Sequence, residues 1–330
     1  IPMKRFLHTV LISFIVFILV GCSAESSATE STSTSDNISS ALSGKMVLVY
    51  YIKDGFLTPI TYNVEASEPQ VNSALNMLFS GITPEGFENK LDDVKLNSLN
   101  VSGDTISIDV SGEFLQGDKA DLAKSQIIYT LTECENIFKV NIAVDGKPYE
   151  ILLERSQFIN LKNPEEYEKD KENPEELSKY LTIYYTDQDK GYLIPVTVKS
   201  DKLETKAENS DKPTTVKVED KARAALQHLI EGTGKIESLD TFDDKMIKSL
   251  RLDDGIAVVD LDKKIIRIDF NNKTQYAEIA VESVVRTLTS IDGIEKVQFL
   301  VGGVTWGNVT GNLSLKNPIE PDRWYNILAN

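Results

Sequence analysis

The chain writes one stretch twice. Thr130-Leu131-Thr132, Ile137, Lys139-Val140, Val144 and Gly146 return 157 positions later as Thr287-Leu288-Thr289, Ile294, Lys296-Val297, Val301 and Gly303. Eight of seventeen positions match, where residue usage alone gives about one. A duplication of this kind restricts the fold to two like-built units. The length of 330 residues agrees, at roughly 150 residues per domain.

Within the repeated stretch the period changes from helical to extended. Ile127, Ile128, Leu131 and Cys134, and their counterparts Val284, Val285, Leu288 and Ile291, fall at helical spacing. Asn136 and Gly293 tolerate the left-handed backbone of a helix end. Alternation follows, Val140, Ile142, Val144 and Val297, Phe299, Val301, closed by a turn at Gly146 and Gly303.

Upstream, each unit opens with two β-prone runs. Val47 to Tyr51 turns at Asp54-Gly55 into Leu57-Thr58-Pro59-Ile60-Thr61; Ile183-Tyr184-Tyr185 turns at Lys190-Gly191 into Leu193-Ile194-Pro195-Val196-Thr197. Proline in both second strands places them at a sheet edge or bulge. A helix follows (Ala74-Leu75, Leu78, Gly81; Ala225-Leu226, Leu229, Gly232). Two short strands come next: Val94 to Val101 and Ile106 to Val110, matched to Ala257 to Leu261 and Ile266 to Phe270. Leu-Lys-Asn-Pro recurs at 161–164 and 315–318 and marks the end of each unit. The order predicts an α+β fold: two tandem split-βαβ sandwiches, each with two helices on one face of a sheet.

The N-terminus carries Lys4 and Arg5 before an eleven-residue apolar run, Val10 to Val20, short of the ~20 residues that span a bilayer. It ends Leu19-Val20-Gly21-Cys22, which resembles a bacterial lipobox; the resemblance implies acylation of Cys22 and membrane anchoring, the alternative being a plain signal peptide with an incidental cysteine. The domain plan is therefore signal peptide 1–22, Ser/Thr-rich tether 23–44, repeat one 45–164, acidic linker 165–179, repeat two 180–318 with a charged surface insertion at 200–217, and C-terminal tail 319–330. Without the first 22 residues, 33 basic residues face 51 acidic ones, a balance of −18. Such a surface repels phosphate, which argues against nucleic acid as a partner.

The ordered set Leu-x-Pro-Ile/Val-Thr, Ala-Leu-x-x-Leu-x-x-Gly, Thr83-Pro84-Glu85-Gly86, Ile-Asp-Val-Ser, Tyr129-Thr130-Leu131-Thr132 and Val144-Asp145-Gly146-Lys147 resembles the GerMN domain. Tandem copies behind a lipobox are similar to the GerM-type sporulation and germination lipoproteins. The resemblance implies a lipid-anchored protein of a channel complex between mother cell and forespore, facing the intermembrane space, whose domains are similar to ring-building motifs; its partners would be other channel proteins or itself in a ring. The second unit departs from the pattern: Thr-Pro-Glu-Gly becomes Thr233-Gly234-Lys235-Ile236, and Asp145 becomes Gly302.

Catalytic chemistry has little to draw on. After cleavage one histidine, His228, and one cysteine besides the anchor, Cys134, remain. Cys134 lies on an apolar helix stripe and reads as a core thiol, with a reactive thiol as the other reading; no intramolecular disulfide is expected. His228 sits on a helix flank, without the second soft ligand that zinc needs. Asp109 and Asp269 match each other and read as turn caps or, alternatively, as a paired acid/base site. Asp253-Asp254-Gly255 and Asp260-x-Asp262 lack calcium-loop spacing. No cofactor and no metal are expected. The leading expectation is a non-enzymatic assembly module. The alternative is a peptidoglycan-binding or peptidoglycan-modifying lipoprotein using Tyr50-Tyr51, Tyr184-Tyr185, Trp306 and Trp324 as a stacking surface; a small-solute-binding lipoprotein is a third reading.

Overall fold

An Asp-Gly turn fixes the first hairpin. In the computed structural model, which describes residues 45–155, 160–187, 191–203, 216–232, 247–263, 274–310 and 313–328, strands β1 (Lys45–Lys53) and β2 (Phe56–Val64) join through Asp54 (φ 54) and Gly55 (φ 85). Two successive positive φ angles match the strand twist of a tight hairpin. Helix α1 (Gln70–Leu78) follows, then β3 (Leu96–Ser102), β4 (Thr105–Val110), α2 (Ala120–Leu131), β5 (Lys139–Val144) and β6 (Lys147–Leu153). The sheet order is β3-β4-β5-β6, with β4 and β5 parallel around the α2 crossover and the outer pairs antiparallel. Ile106, Ile108, Val110, Val140, Ile142 and Val144 turn one face of this sheet inward; Ser107, Asp109, Asn141 and Ala143 alternate with them and stay half-buried. The inward face shares a core with Leu75 and Leu78 of α1, Ile127, Ile128 and Leu131 of α2, and Val47, Val49, Tyr51 and Ile60 of the hairpin.

The linker folds on a local code. Asn163-Pro164-Glu165-Glu166 and Asn173-Pro174-Glu175-Glu176 each supply an asparagine cap, a proline in the first turn and acidic residues at the helix N-terminus, giving α3 (Pro164–Asp170) and α4 (Pro174–Leu177). The second repeat then repeats the plan: β7 (Tyr180–Asp187), β8 (Tyr192–Lys199), α5 (Val218–Glu231), β9 (Ile247–Asp253), β10 (Ile256–Leu261), α6 (Thr274–Thr289) and β11 (Lys296–Val301). Strands β10 and β11 are again parallel across a helix, in the order β11-β10-β9. The α+β split-βαβ plan holds in both halves; α2 and α6 stop at Leu131 and Thr289, ahead of Asn136 (φ 63) and Gly293 (φ 94), which take the left-handed backbone in the turns that lead into β5 and β11.

Three expectations are corrected. Ala257 to Leu261 matches β4, not β3: Asp109 pairs with Ala143 and Asp260 with Leu300 in the same parallel register. Asp260, and not Asp269, is thus the partner of Asp109; Asp269 lies outside the described residues. The recurring Leu-Lys-Asn-Pro is not a common end. Val140 pairs with Leu153, 13 residues on, and Val297 with Ile319, 22 residues on, so repeat two carries nine extra residues here. They hold a small ribbon, β12 (Asn308–Thr310) and β13 (Leu313–Ser314), and Leu315 inserts into the core while Leu161 pairs with Thr197. Residues 319–328 are therefore not a tail beyond repeat two; they complete its sheet edge and continue onto repeat one, where Ile327 bridges to Thr61.

Candidate functional site

The duplicated threonines hold the hairpins in place. Thr130 Oγ1 accepts the Tyr50 N–H at 3.0 Å, and Gln126 Nε2 donates to the Tyr50 carbonyl at 3.0 Å. One repeat later Thr287 Oγ1 accepts the Tyr184 N–H at 3.0 Å and Ser283 donates to the Tyr184 carbonyl. Residues four apart on α2 or α6 thus satisfy both backbone groups of one tyrosine, as helical spacing allows. The second threonine of each pair, Thr132 or Thr289, bonds the carbonyl four residues back at 2.7 or 2.8 Å.

The two hairpins meet through their proline strands, β2 and β8. Leu57, Pro59 and Thr61 turn their backbone groups toward the other repeat, and so do Leu193, Pro195 and Thr197. Asn160 accepts the Leu57 N–H at 3.0 Å, donates to the Leu57 carbonyl at 2.9 Å and to the Pro195 carbonyl. Asn326 does the same with the repeats exchanged: it accepts the Leu193 N–H at 2.8 Å and donates to the carbonyls of Leu193 and Pro59, both at 2.8 Å. Their backbones add to it. The Thr197 N–H reaches the Asn160 carbonyl at 2.8 Å and Lys162 N–H the Thr197 carbonyl at 2.9 Å; Thr61 N–H reaches Asn326 at 3.1 Å and Leu328 N–H reaches Thr61 at 3.2 Å. Each repeat therefore ends in a strap laid on the other repeat's hairpin.

This junction explains the motif Leu-x-Pro-x-Thr. Proline stands where an outward N–H would meet no acceptor, so its missing donor removes a buried orphan. Asparagine carries one acceptor and two donors on a short stem, and at 326 it also takes a left-handed backbone (φ 53).

Charge and rings flank the straps. Lys53 pairs with Asp187 of the other repeat at 2.8 Å, both side chains about a tenth exposed. The turn after Thr83-Pro84-Glu85-Gly86 brings Phe87 against Tyr192 of repeat two, ring centres 5.0 Å apart, with Glu88 and Ile52 exchanging backbone bonds. That motif packs the two repeats together; its counterpart at 233–236 lies outside the described residues. Tyr50 donates to Glu133 at 3.0 Å, Arg155 pairs with Glu133 and lies over the Tyr129 ring, and Arg286 covers the Tyr325 ring at 3.6 Å. Burial pushes the Tyr50 and Tyr325 hydroxyls well above the usual phenol range, so both stay neutral.

The residues singled out in sequence have structural posts. Cys134 is buried, and burial, reinforced by Glu133, pushes its thiol up to about 12, far from a reactive thiolate. Burial and then Lys202 lower the His228 imidazole below its ordinary value, keeping it neutral. Asp109 and Asp260 accept the N–H of Gly146 and Gly303, each at 2.8 Å, and so cap the turns after β5 and β11. Asp254-Gly255 (φ 45 and 77) is the β9–β10 turn. Of the aromatics named for a stacking surface, Tyr50, Tyr51 and Tyr185 are buried, while Tyr184, Trp306 and Trp324 are half-buried, Trp306 packing on the second core. Among the described residues no group of three or more His, Cys, Asp or Glu side chains is placed to hold a metal, and no helix is long and apolar enough to cross a membrane. Cys22 and the lipobox residues Leu19, Val20 and Gly21 lie outside the described residues. Sequence reasoning missed Asn160 and Asn326; their equivalence appears only once the nine extra residues are placed.

A family model described as Germane, sporulation and spore germination, matches residues 48–150 and 182–305. The tandem GerMN domains of the sporulation protein GerM from Bacillus subtilis align over 87% of this chain and 100% of that one, at 23% identity and a TM-score of 0.56. The first GerMN domain of the same protein aligns over 34% of this chain and 98% of that one, at 27% identity and a TM-score of 0.30. A search of curated proteins returned no match.

Proposed function

The chain belongs to the Germane family of sporulation and spore germination domains, which it carries twice, and from that premise we propose that it is a lipid-anchored, non-enzymatic assembly module of the sporulating cell envelope. In this reading Cys22 is acylated and Ser23 onward is a solvated tether. The folded part stands outside the membrane, between mother cell and forespore, and joins a ring with other channel proteins or with itself.

The observation that carries the reading is the junction. The polar side chains at the repeat boundary, Asn160, Asn326, Lys53 and Asp187, are spent on holding one repeat to the other, which makes the two domains one body. A body with two like modules has the geometry from which repeated contacts are built. The acidic surface argues that attachment comes from lipid and not from charge.

The test is genetic and local. Replacing Cys22 by serine in the host is expected to release the protein from membranes and to reduce heat-resistant spores to the level of the gene deletion. A tagged chain is expected to concentrate at the engulfing membrane. Full sporulation with the protein free in solution would sink the anchoring claim, and turnover of purified sacculi would favour the wall-modifying alternative.

A further inference from the structure

The contacts between the repeats have an unusual property: they are reciprocal. Pro59 and Thr61 give the strap of repeat two what Pro195 and Thr197 give the strap of repeat one, and the asparagine of each strap also holds the leucine of its own repeat, Asn160 on Leu57 and Asn326 on Leu193. Every chain therefore carries both halves of a self-complementary joint. Strap one precedes repeat two in the chain and travels with it: Asn160 to Lys162 pair with β8, and the α3–α4 linker stays on the same repeat through Asp170, which Tyr180 and Lys199 both reach at 2.8 Å. The second core takes nearly all its buried residues from 181–315, with Phe56 as its one contribution from repeat one, and the first core draws on 47–153.

We infer that this joint is exchangeable between molecules, so that repeat one of one chain is strapped by repeat two of a second copy. The contacts made are identical in the closed and exchanged forms, so the choice between them is set by effective concentration. Inside one chain the joint closes on itself. Between chains each molecule offers one used and one unused half, and the same contact continues to the next molecule until a dimer or a ring closes. Chains confined to one membrane surface reach the local concentration, on the order of millimolar, at which exchange competes with closure. The inference rests on the assembly reading above and names its contact.

The Lys53–Asp187 pair provides the test, since one member comes from each repeat. In the full chain, in mild detergent, K53D sets two carboxylates against each other and D187K sets two ammonium groups against each other. Mixed one to one, only exchanged heterodimers restore opposite charges at both joints. At one joint the carboxylate introduced by K53D meets the ammonium introduced by D187K; at the other the native Lys53 of the D187K chain meets the native Asp187 of the K53D chain. Light scattering is expected to give a heterodimer of twice the monomer mass from the mixture, refolded together from urea, and monomers from the charge-swapped chain K53D/D187K. Where a single variant does not fold alone, recovery of folded protein only on co-refolding reads the same exchange. A second pair gives an independent readout. Tagged T61C and I327C chains, at positions bridged across the joint, are expected to form an interchain disulfide when mixed at high concentration. If the charge-swapped chain folds as a monomer while neither mixture yields a heterodimer, exchange is wrong. Rings seen by electron microscopy in that case leave the assembly reading standing on another contact; absence of both removes both.

Discussion

The side-chain amide of Asn326 donates to the carbonyl of Pro59 at 2.8 Å, across the boundary between the two repeats. The same amide satisfies both backbone groups of Leu193. N326A removes three bonds and strands the Leu193 N–H, so a loss of roughly 2–3 kcal/mol is expected. N160A should match it, because its bonds to Leu57 and Pro195 are the mirror set. Urea titration of each variant measures the loss; a change under about 0.5 kcal/mol, the range of surface substitutions, would show that the straps do not hold the repeats.

The duplicated Thr-Leu-Thr gives an internal control. T130V leaves the buried Tyr50 N–H without its acceptor, which costs about 1–3 kcal/mol, and T287V does the same to Tyr184. T132V and T289V lose a hydroxyl that only doubles up on a helix carbonyl, so a change within about 0.5 kcal/mol is expected. Equal losses at all four positions, measured by thermal or urea unfolding, would contradict this division of labour.

Local signals read well from the sequence and long-range ones did not. Asp-Gly turns, the helix-to-strand change at Asn136 and Gly293, and the alternation of Val140, Ile142 and Val144 each depend on neighbours within a few residues, and all stand where the pattern puts them. Pro59 and Pro195 were legible as edge residues, but an edge alone does not say what covers it. Asn326 reaches Pro59 from 267 residues along the chain, and Asn160 reaches Pro195 from 35. The recurring Leu-Lys-Asn-Pro misled because its copies fall on opposite sides of the nine added residues: Leu315 fills a core and Leu161 lies on a strap. Register errors of this kind arise wherever an insertion sits between two matched stretches, and Asp260 was displaced by Asp269 for the same reason.

Breaking the Lys53–Asp187 pair should cost more than removing it. K53M leaves Asp187 about nine-tenths buried with its ammonium partner gone, and loss of one member of such a pair typically costs about 3–5 kcal/mol. K53M/D187L replaces both charges with apolar side chains beside the Phe87 ring, and is expected to recover most of that loss. The double-mutant cycle, measured at low and at 1 M salt, reports the coupling. Additive effects of the two single changes would show that the ions do not act as a pair.

Cys134 makes an alkaline signature. Its thiol is pushed up to about 12 in the folded chain, against an ordinary value of 9.0, first by burial and then by Glu133. Below pH 9 both folded and unfolded chains keep the proton, and the contribution to stability is complete. As pH rises from 9 toward 12 the unfolded chain releases its proton while the folded chain holds it, so the unfolded state gains and stability falls, by at most about 1.4 kcal/mol per pH unit for this one group. The buried tyrosines Tyr50 and Tyr325 are shifted in the same direction, but from an ordinary value of 10.0, so they add to the fall only at higher pH. C134V should therefore make the decline shallower throughout pH 9 to 12, most plainly between pH 9 and 10, where the tyrosines do not yet contribute. Unfolding free energies at pH 8, 9 and 10 give the slope. Iodoacetamide labelling at pH 8.5 supplies the second check on a chain carrying C22S: folded protein is expected to label far more slowly than unfolded protein, and equal rates would place the thiol at the surface.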